Sequence, residues 1–575
     1  MDRQEVPHSL AKSGPTSTTE AWLSTLRSQF SRIDSSSADS LAALRNERAA
    51  IASVLSIVDS RINGSAAPIF CLPPELLVRI FSYFANRVLS EGVQSMDHVP
   101  PAAPWVRLTW VCRRWRQVML TNPTLWRDVV LPLPPQWARA MLARSQNQPL
   151  SVFYSDELKA HARSPAWVLP FHTLEQVRSI HIHSISRDIL DKALSQLLST
   201  PAPILEDASF CCMSSHLPRA ALFANSAPRL RNLLIHDTLL TRDSQVFPLS
   251  CFLPHIVSLN IRGRVKASLP EFIAALQRLK QIETLVLVGC LRRFSSAPHS
   301  PAASQIARLT SLKSLNIGSM VTECVGFLRH VQTPDTARLR IEAFTSGGVD
   351  AFAPLYPFLA PAGGYRSNPF RNMGFLSCEP GHLTFSACHN LDADHAPCDR
   401  EVIFYWDRLG DTVFSFMSTL CAEVTVHHLL RLMLNFNHRR GLKSPEEWLE
   451  MLGAATELQT LHVAGEGATL CQTLSASILE DGKYSREVEG NPVWPKLQVL
   501  KLDNQDLSFC YKDAEENWWA DCIGMRVDEV LLRELEHRHQ RGAALNTLQL
   551  PITSCDVDPE WLQDVERVVD RVLVQ

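Results

Sequence analysis

Residues 68–84 read PIFCLPPELLVRIFSYF, and residues 106–131 read VRLTWVCRRWRQVMLTNPTLWRDVVL. Leu72-Pro73-Pro74-Glu75 is a helix-entry signal. Proline in the first turn forfeits no needed N–H, and an early glutamate suits the positive end of the helix dipole. Apolar residues then recur at Leu76, Leu77, Ile80, Phe81 and Phe84, so the spacing predicts a helix from about Pro73 with one wide apolar stripe. Leu108, Val111, Cys112, Trp115, Val118 and Met119 repeat the pattern, with Arg107, Arg113, Arg114 and Arg116 mostly on the opposite side. They predict a second helix packed antiparallel to the first. Asn122-Pro123 stops it, and Trp126 closes a small core. Between the two helices the insert from Arg87 to Pro104, with Pro100, Pro101 and Pro104, is expected to be a surface loop.

Four of these motifs, in this order, resemble the F-box family: Leu72-Pro73-Pro74-Glu75-Leu76, Ile80-Phe81-Ser82-Tyr83-Phe84, Val111-Cys112-Arg113-Arg114-Trp115-Arg116 and Pro123-Thr124-Leu125-Trp126. The resemblance covers residues 68–131 and implies helices that dock on the Skp-type adaptor of a cullin–RING (SCF-type) ubiquitin ligase. The rest of the chain would recruit an unidentified substrate protein. Carried over motif by motif, Leu72, Pro73, Leu76, Ile80, Val111 and Trp115 are the expected partner-binding or partner-supporting residues.

Upstream, residues 1–19 are rich in Ser, Thr and Pro and are expected to be a disordered tail. Residues 20–64 are expected to form an amphipathic helix or a short coiled coil ending at Asn63-Gly64-Ser65. Leu41, Leu44, Ile51, Leu55, Val58 and Ile62 fall on a heptad a/d pattern that Arg48 interrupts. So short a pattern favours a helix leaning on the F-box-like helices over a homodimerising coil.

Residues 150–575 carry a recurrent six-residue phrase, apolar at its first, fourth and sixth places. It begins at Val177, Leu230, Ile256, Ile282, Leu312, Leu458, Leu497 and Leu545. The starts at 230, 256 and 282 lie 26 residues apart and 312 follows after 30, in or near the leucine-rich-repeat range. Weak copies are expected at Thr336–Ile341 and Cys421–Val426, with Asp237, Gly263, Gly289 and Gly318 near the turn where regular repeats place asparagine. No such unit buries its apolar face alone, so the units stack. Inserts at 351–369, 466–494 and 503–541 are expected to be edge loops, where binding often resides. The expected fold class is therefore α/β: an N-terminal helix, a small all-α F-box-like domain, then an irregular leucine-rich-repeat solenoid.

Across its 575 residues the chain has a net charge of −3 and no long basic stripe, which argues against a nucleic-acid partner. No window has the apolar run of a membrane span, the N-terminus lacks an apolar signal core, and the cysteines follow no disulfide framework. A cytoplasmic or nuclear setting is the expectation. Cys378, His382, Cys388, His389, His395 and Cys398 are potential zinc ligands, but they match no paired ligand spacing, so neither metal nor cofactor is expected. No phosphate loop, GxSxG elbow or HExxH helix is present, and the chain is expected not to be an enzyme. The competing expectation is a non-ligase scaffold or ligand-binding repeat protein whose F-box-like helices cap the solenoid.

Overall fold

The computed structural model describes residues 17–31, 38–66, 68–94, 104–131, 135–155, 174–184, 200–212, 222–237, 246–247, 253–265, 268–291, 306–359, 370–377, 382–389, 398–406, 413–424, 426–436, 444–465, 468–478, 484–485, 492–503, 525–550 and 558–574. The chain divides into a helical unit, Met1–Arg127 with Ala140–Gln146, and a sheet unit, Asp128–Arg139 with Asn147–Gln575.

In the helical unit, helices α1 (Ser17–Phe30) and α2 (Ala38–Ala66) replace the single N-terminal helix expected from sequence. α1 begins three residues inside the segment expected to be disordered, and α2 runs through Asn63-Gly64-Ser65. A glycine in a helix costs only about 1 kcal/mol relative to alanine, too little to stop a helix on its own. α3 spans Pro74–Gln94, so the first part of the presumed loop after Arg87 is helical, and residues 95–103 lie outside the described residues. The second helix also differs. Pro104–Trp110 is a separate 3-10 turn, and α4 runs only from Arg113 to Thr121, with Cys112 as its N-cap and the Cys112 thiol accepting from the Trp115 amide at 3.4 Å.

Leu77, Phe81, Val106, Val118, Met119, Leu125 and Trp126 form the buried core of this unit. The Phe81 and Trp115 rings pack at 5.0 Å, and the Trp126 indole N–H donates to the Met119 carbonyl at 2.6 Å. Arg114 donates to the Leu72 carbonyl, tying α4 to the entry of α3. Asn122 accepts from the Thr124 amide at 3.1 Å and shapes the turn that seats Trp126.

The sheet unit is built on a seventeen-stranded, largely parallel sheet. Its first strand, β1 (Asp128–Leu131), is the end of the block expected to be helical, and it pairs with β2 (Leu150–Ser155). There follow β3 (Val177–Ser184), β4 (Asp207–Cys212), β5 (Asn232–Asp237), β6 (Ser258–Arg262), β7 (Thr284–Val288), β8 (Ser314–Met320) and β9 (Arg338–Thr345), each parallel to the one before. Every full copy of the six-residue phrase lies on or leads into such a strand. Leu233, Leu259, Leu285 and Leu315 stand in one register, as do Ile235, Ile261, Leu287 and Ile317. All eight are buried, each contributing about 1.5–3 kcal/mol, whereas the alternate side chains face outward. Gly263 and Gly289 follow β6 and β7 with φ of 145° and 71°, while Gly318 lies within β8 and makes no turn.

Where the rhythm weakens, the chain reverses. β10 (Asn372–Ser377), β11 (His382–Cys388) and β12 (Arg400–Trp406) form an antiparallel trio, with β12 beside β9 and β10 beside β13 (Arg431–Phe436). A Cβ on Gly374 would lie 2.8 Å from the Ser386 hydroxyl, so a larger residue there would have to turn that hydroxyl aside. Cys421–Val424, expected to begin a weak strand, ends a helix, Val413–Val424. Parallel order resumes through β14 (Thr460–Gly465), β15 (Val499–Asp503), β16 (Thr547–Leu550) and β17 (Arg571–Val574).

The described parts of the later inserts are packed into the core. Leu470, Cys471, Leu474 and Trp494 are buried beside the helix Val527–Gln540, where Arg538 is fully enclosed. Its guanidinium donates to the carbonyls of Leu474 at 2.7 Å and Trp494 at 2.9 Å. Burial pulls its pKa down to about 10. Replacing it should remove both of these charged hydrogen bonds, leaving the Trp494 carbonyl only the Leu497 amide at 3.1 Å. Arg538→Leu is expected to lower sheet-unit stability by about 3 kcal/mol, read as a lower urea midpoint; an unchanged midpoint would show that these two hydrogen bonds are dispensable.

Candidate functional site

The turn-by-turn geometry of α3 divides its apolar residues into two stripes. Leu77 and Phe81 face the core, while Leu76, Ile80, Tyr83 and Phe84, one or two turns apart, are exposed. The division is sharp: Phe81 is 2% exposed and its neighbour Ile80 45%. The turn Pro104–Trp110 packs on α3, and Trp110 and Val111 at its end are also exposed. Of the residues picked out from sequence, Pro73, Leu76, Ile80 and Val111 are thus exposed. Leu72 and Trp115 are half-buried; the first receives the Arg114 hydrogen bond and the second backs Phe81. Tyr83, Phe84 and Trp110 are exposed apolar residues missing from that set. Helical spacing from Leu76 and Ile80 would have found the first two.

Exposed side chains on one helix and an adjoining turn, mostly aliphatic or aromatic, present a largely apolar surface. What they can do is exclude water against a matching surface. Residues 69–132 match the F-box-like family model, so the chain carries an F-box-like domain. No curated protein matches the chain.

The outward face of the sheet is a second surface. Arg340 on β9 bonds Glu401 on β12 at 2.8 Å and Glu342 at 3.3 Å, and Phe344 stacks on Tyr405 at 4.6 Å. His462 on β14 meets the Asp503 carboxylate of β15 at 2.5 Å. Phe344, Leu376 and Met433 are exposed on the same run of strands. Sequence placed recognition in the inserts. Within the insert at 503–541, residues 504–524 lie outside the described residues.

Of the six potential zinc ligands, Cys378 and His395 lie outside the described residues. Among the described residues no group of three or more His, Cys, Asp or Glu side chains is placed to hold a metal. His389 stacks on Phe370, and its amide donates to Asp399 at 2.8 Å. The neighbouring Cys388 thiol pulls Cys398 down to about 7, and Cys398 pushes Cys388 up. Also among the described residues, no helix is long and apolar enough to cross a membrane.

Burial pushes the thiols of Cys290, Cys324, Cys421 and Cys471 up to about 12. Since the thiolate is the nucleophile, Cys398 should alkylate far faster than these four near pH 7.5 and slow as the pH falls below about 7. Peptide mass spectrometry after brief iodoacetamide treatment checks this; equal labelling of all five would contradict the assigned thiolate.

Proposed function

We propose that the chain is the substrate-recruiting subunit of a cullin–RING ubiquitin ligase. Its F-box-like domain docks on a Skp-type adaptor, and its sheet unit, a degenerate leucine-rich-repeat solenoid, binds the target protein. The observation that carries this is the exposure of Leu76 and Ile80 on α3, within residues that match the F-box-like family model. An apolar helix stripe left in water implies a partner that covers it. The alternative, in which these helices only cap the repeats, needs that stripe buried. Phe81 is indeed buried, but within its own unit and against Trp115.

In this function the chain supplies no catalytic group. A ligase of this kind holds a target beside a ubiquitin-charged enzyme and raises its effective concentration there. The in-register phrases and their inward leucines support the repeat assignment. The outward face across β9–β15, with its Arg340–Glu401 pair and Phe344–Tyr405 stack, offers mixed charge and aromatic surface of the kind that recognises a folded protein.

A purified Skp-type adaptor should bind the full chain, and the double variant Leu76→Asp/Ile80→Asp should weaken binding about a hundredfold, since two apolar contacts of about 1.5 kcal/mol each are lost. Calorimetry or biolayer interferometry reads it, and circular dichroism verifies that the variant is folded. Failure of the wild-type chain to bind the adaptor would sink the ligase assignment.

A further inference from the structure

Among the described residues, helix α2 presents a seam that is largely exposed. Leu41, Leu44, Leu55, Val58 and Ile62 occupy five of the seven a and d positions from 41 to 62, and all five are exposed, Leu55 at 56%. Ile51, the remaining apolar seam residue, is half-buried, and Arg48 stands at an a position. The expectation that this face leans on the F-box-like helices is therefore not met. A helix with this much apolar surface in water needs an occupant for it.

The charges flanking the seam say which occupant. With Leu41 at a, the e positions are Arg45, Ala52 and Asp59, and the g positions are Glu47, Val54 and Arg61. In a parallel pair each g residue meets the e residue five places on. Glu47 would then face Ala52, Val54 would face Asp59, and Arg61 would face Ala66, so no opposite charges meet.

An antiparallel pair behaves differently, because e meets e and g meets g. Take the register that sets Ile51 opposite Leu55 of a second copy. It also sets Leu44 opposite Ile62, Arg48 opposite Val58 and Leu41 opposite Ser65. Arg45 then faces Asp59 of the second copy, and Glu47 faces its Arg61. Two-fold symmetry repeats both pairs, giving four ion pairs. At the dyad Ala52 meets Ala52 and Val54 meets Val54, so the flanks are apolar where the helices approach most closely. Arg48 can lay its methylene stem along Val58 and keep its guanidinium in water. Shifting the register by a heptad either way loses both pairs.

We infer that α2 is one half of an antiparallel homodimeric coiled coil, seamed by Leu41, Leu44, Ile51, Leu55, Val58 and Ile62 and set in register by Arg45–Asp59 and Glu47–Arg61 between copies. This does not rest on the ligase assignment. A dimer carries two copies of each surface described above, so any target or adaptor with two sites is held by avidity.

Sedimentation equilibrium of the full chain tests it. The wild type should approach twice the 64.4 kDa chain mass at tens of micromolar, and Leu55→Glu/Val58→Glu should stay at the single-chain mass. The charge variants decide the orientation without touching the seam. Glu47→Arg and Arg61→Glu should each weaken dimerisation about tenfold, because each turns two of the four ion pairs into like-charge pairs. The double variant Glu47→Arg/Arg61→Glu should recover wild-type affinity. These two positions are 14 residues apart, so no contact within one helix can mimic the recovery. A wild type that remains monomeric, a seam variant that remains dimeric, or a double variant no tighter than the singles would each overturn the inference.

Discussion

A strand at the edge of a sheet leaves a row of backbone N–H and C=O groups unpaired, and only another strand in register satisfies them all. That constraint organises the sheet unit. Once Leu233 lies beside Leu259 and Leu259 beside Leu285, every inward side chain stacks on its counterpart and every outward one is forced to the opposite face. The apolar interior and the polar, partly aromatic exterior are two results of one pairing. The reversal at β10–β12 keeps the rule, since β12 still pairs with β9 and β10 with β13, and no edge is opened between them.

The helical unit obeys a related constraint on a smaller scale. α3 carries more apolar surface than its short partners can cover, so Leu77 and Phe81 take the interior and Leu76, Ile80, Tyr83 and Phe84 remain outside. A small domain buries a smaller share of its surface than a large one, and this one leaves a helix face over. That exposed face lies within the residues, 69–132, that match the F-box-like family model.

Much of this was legible in the sequence because it rests on period. The phrases at Leu230, Ile256, Ile282, Leu312, Leu458, Leu497 and Leu545 each lead into a parallel strand, since a repeated spacing of leucines admits few other packings. The trio β10–β12 was not legible. Antiparallel strands of alternating pattern need no fixed spacing between them, and the one local mark, Gly374, is common in loops too. Arg538 was missed for another reason: an arginine on a helix ordinarily lies on the solvated face, and only the two carbonyls from a distant segment explain its burial. On α3 the spacing gave the apolar arc, but it could not divide the arc into buried Phe81 and exposed Ile80, because that division depends on where Trp115 arrives.

Docking through α3 requires that an adaptor cover one stripe of one helix and leave the sheet free. Hydrogen–deuterium exchange of the full chain, with and without a purified Skp-type adaptor, tests this directly. Exchange should slow in peptides spanning 74–84 and 110–115 and stay unchanged across the seventeen strands. Protection that falls on the strands, or none along α3, would contradict it.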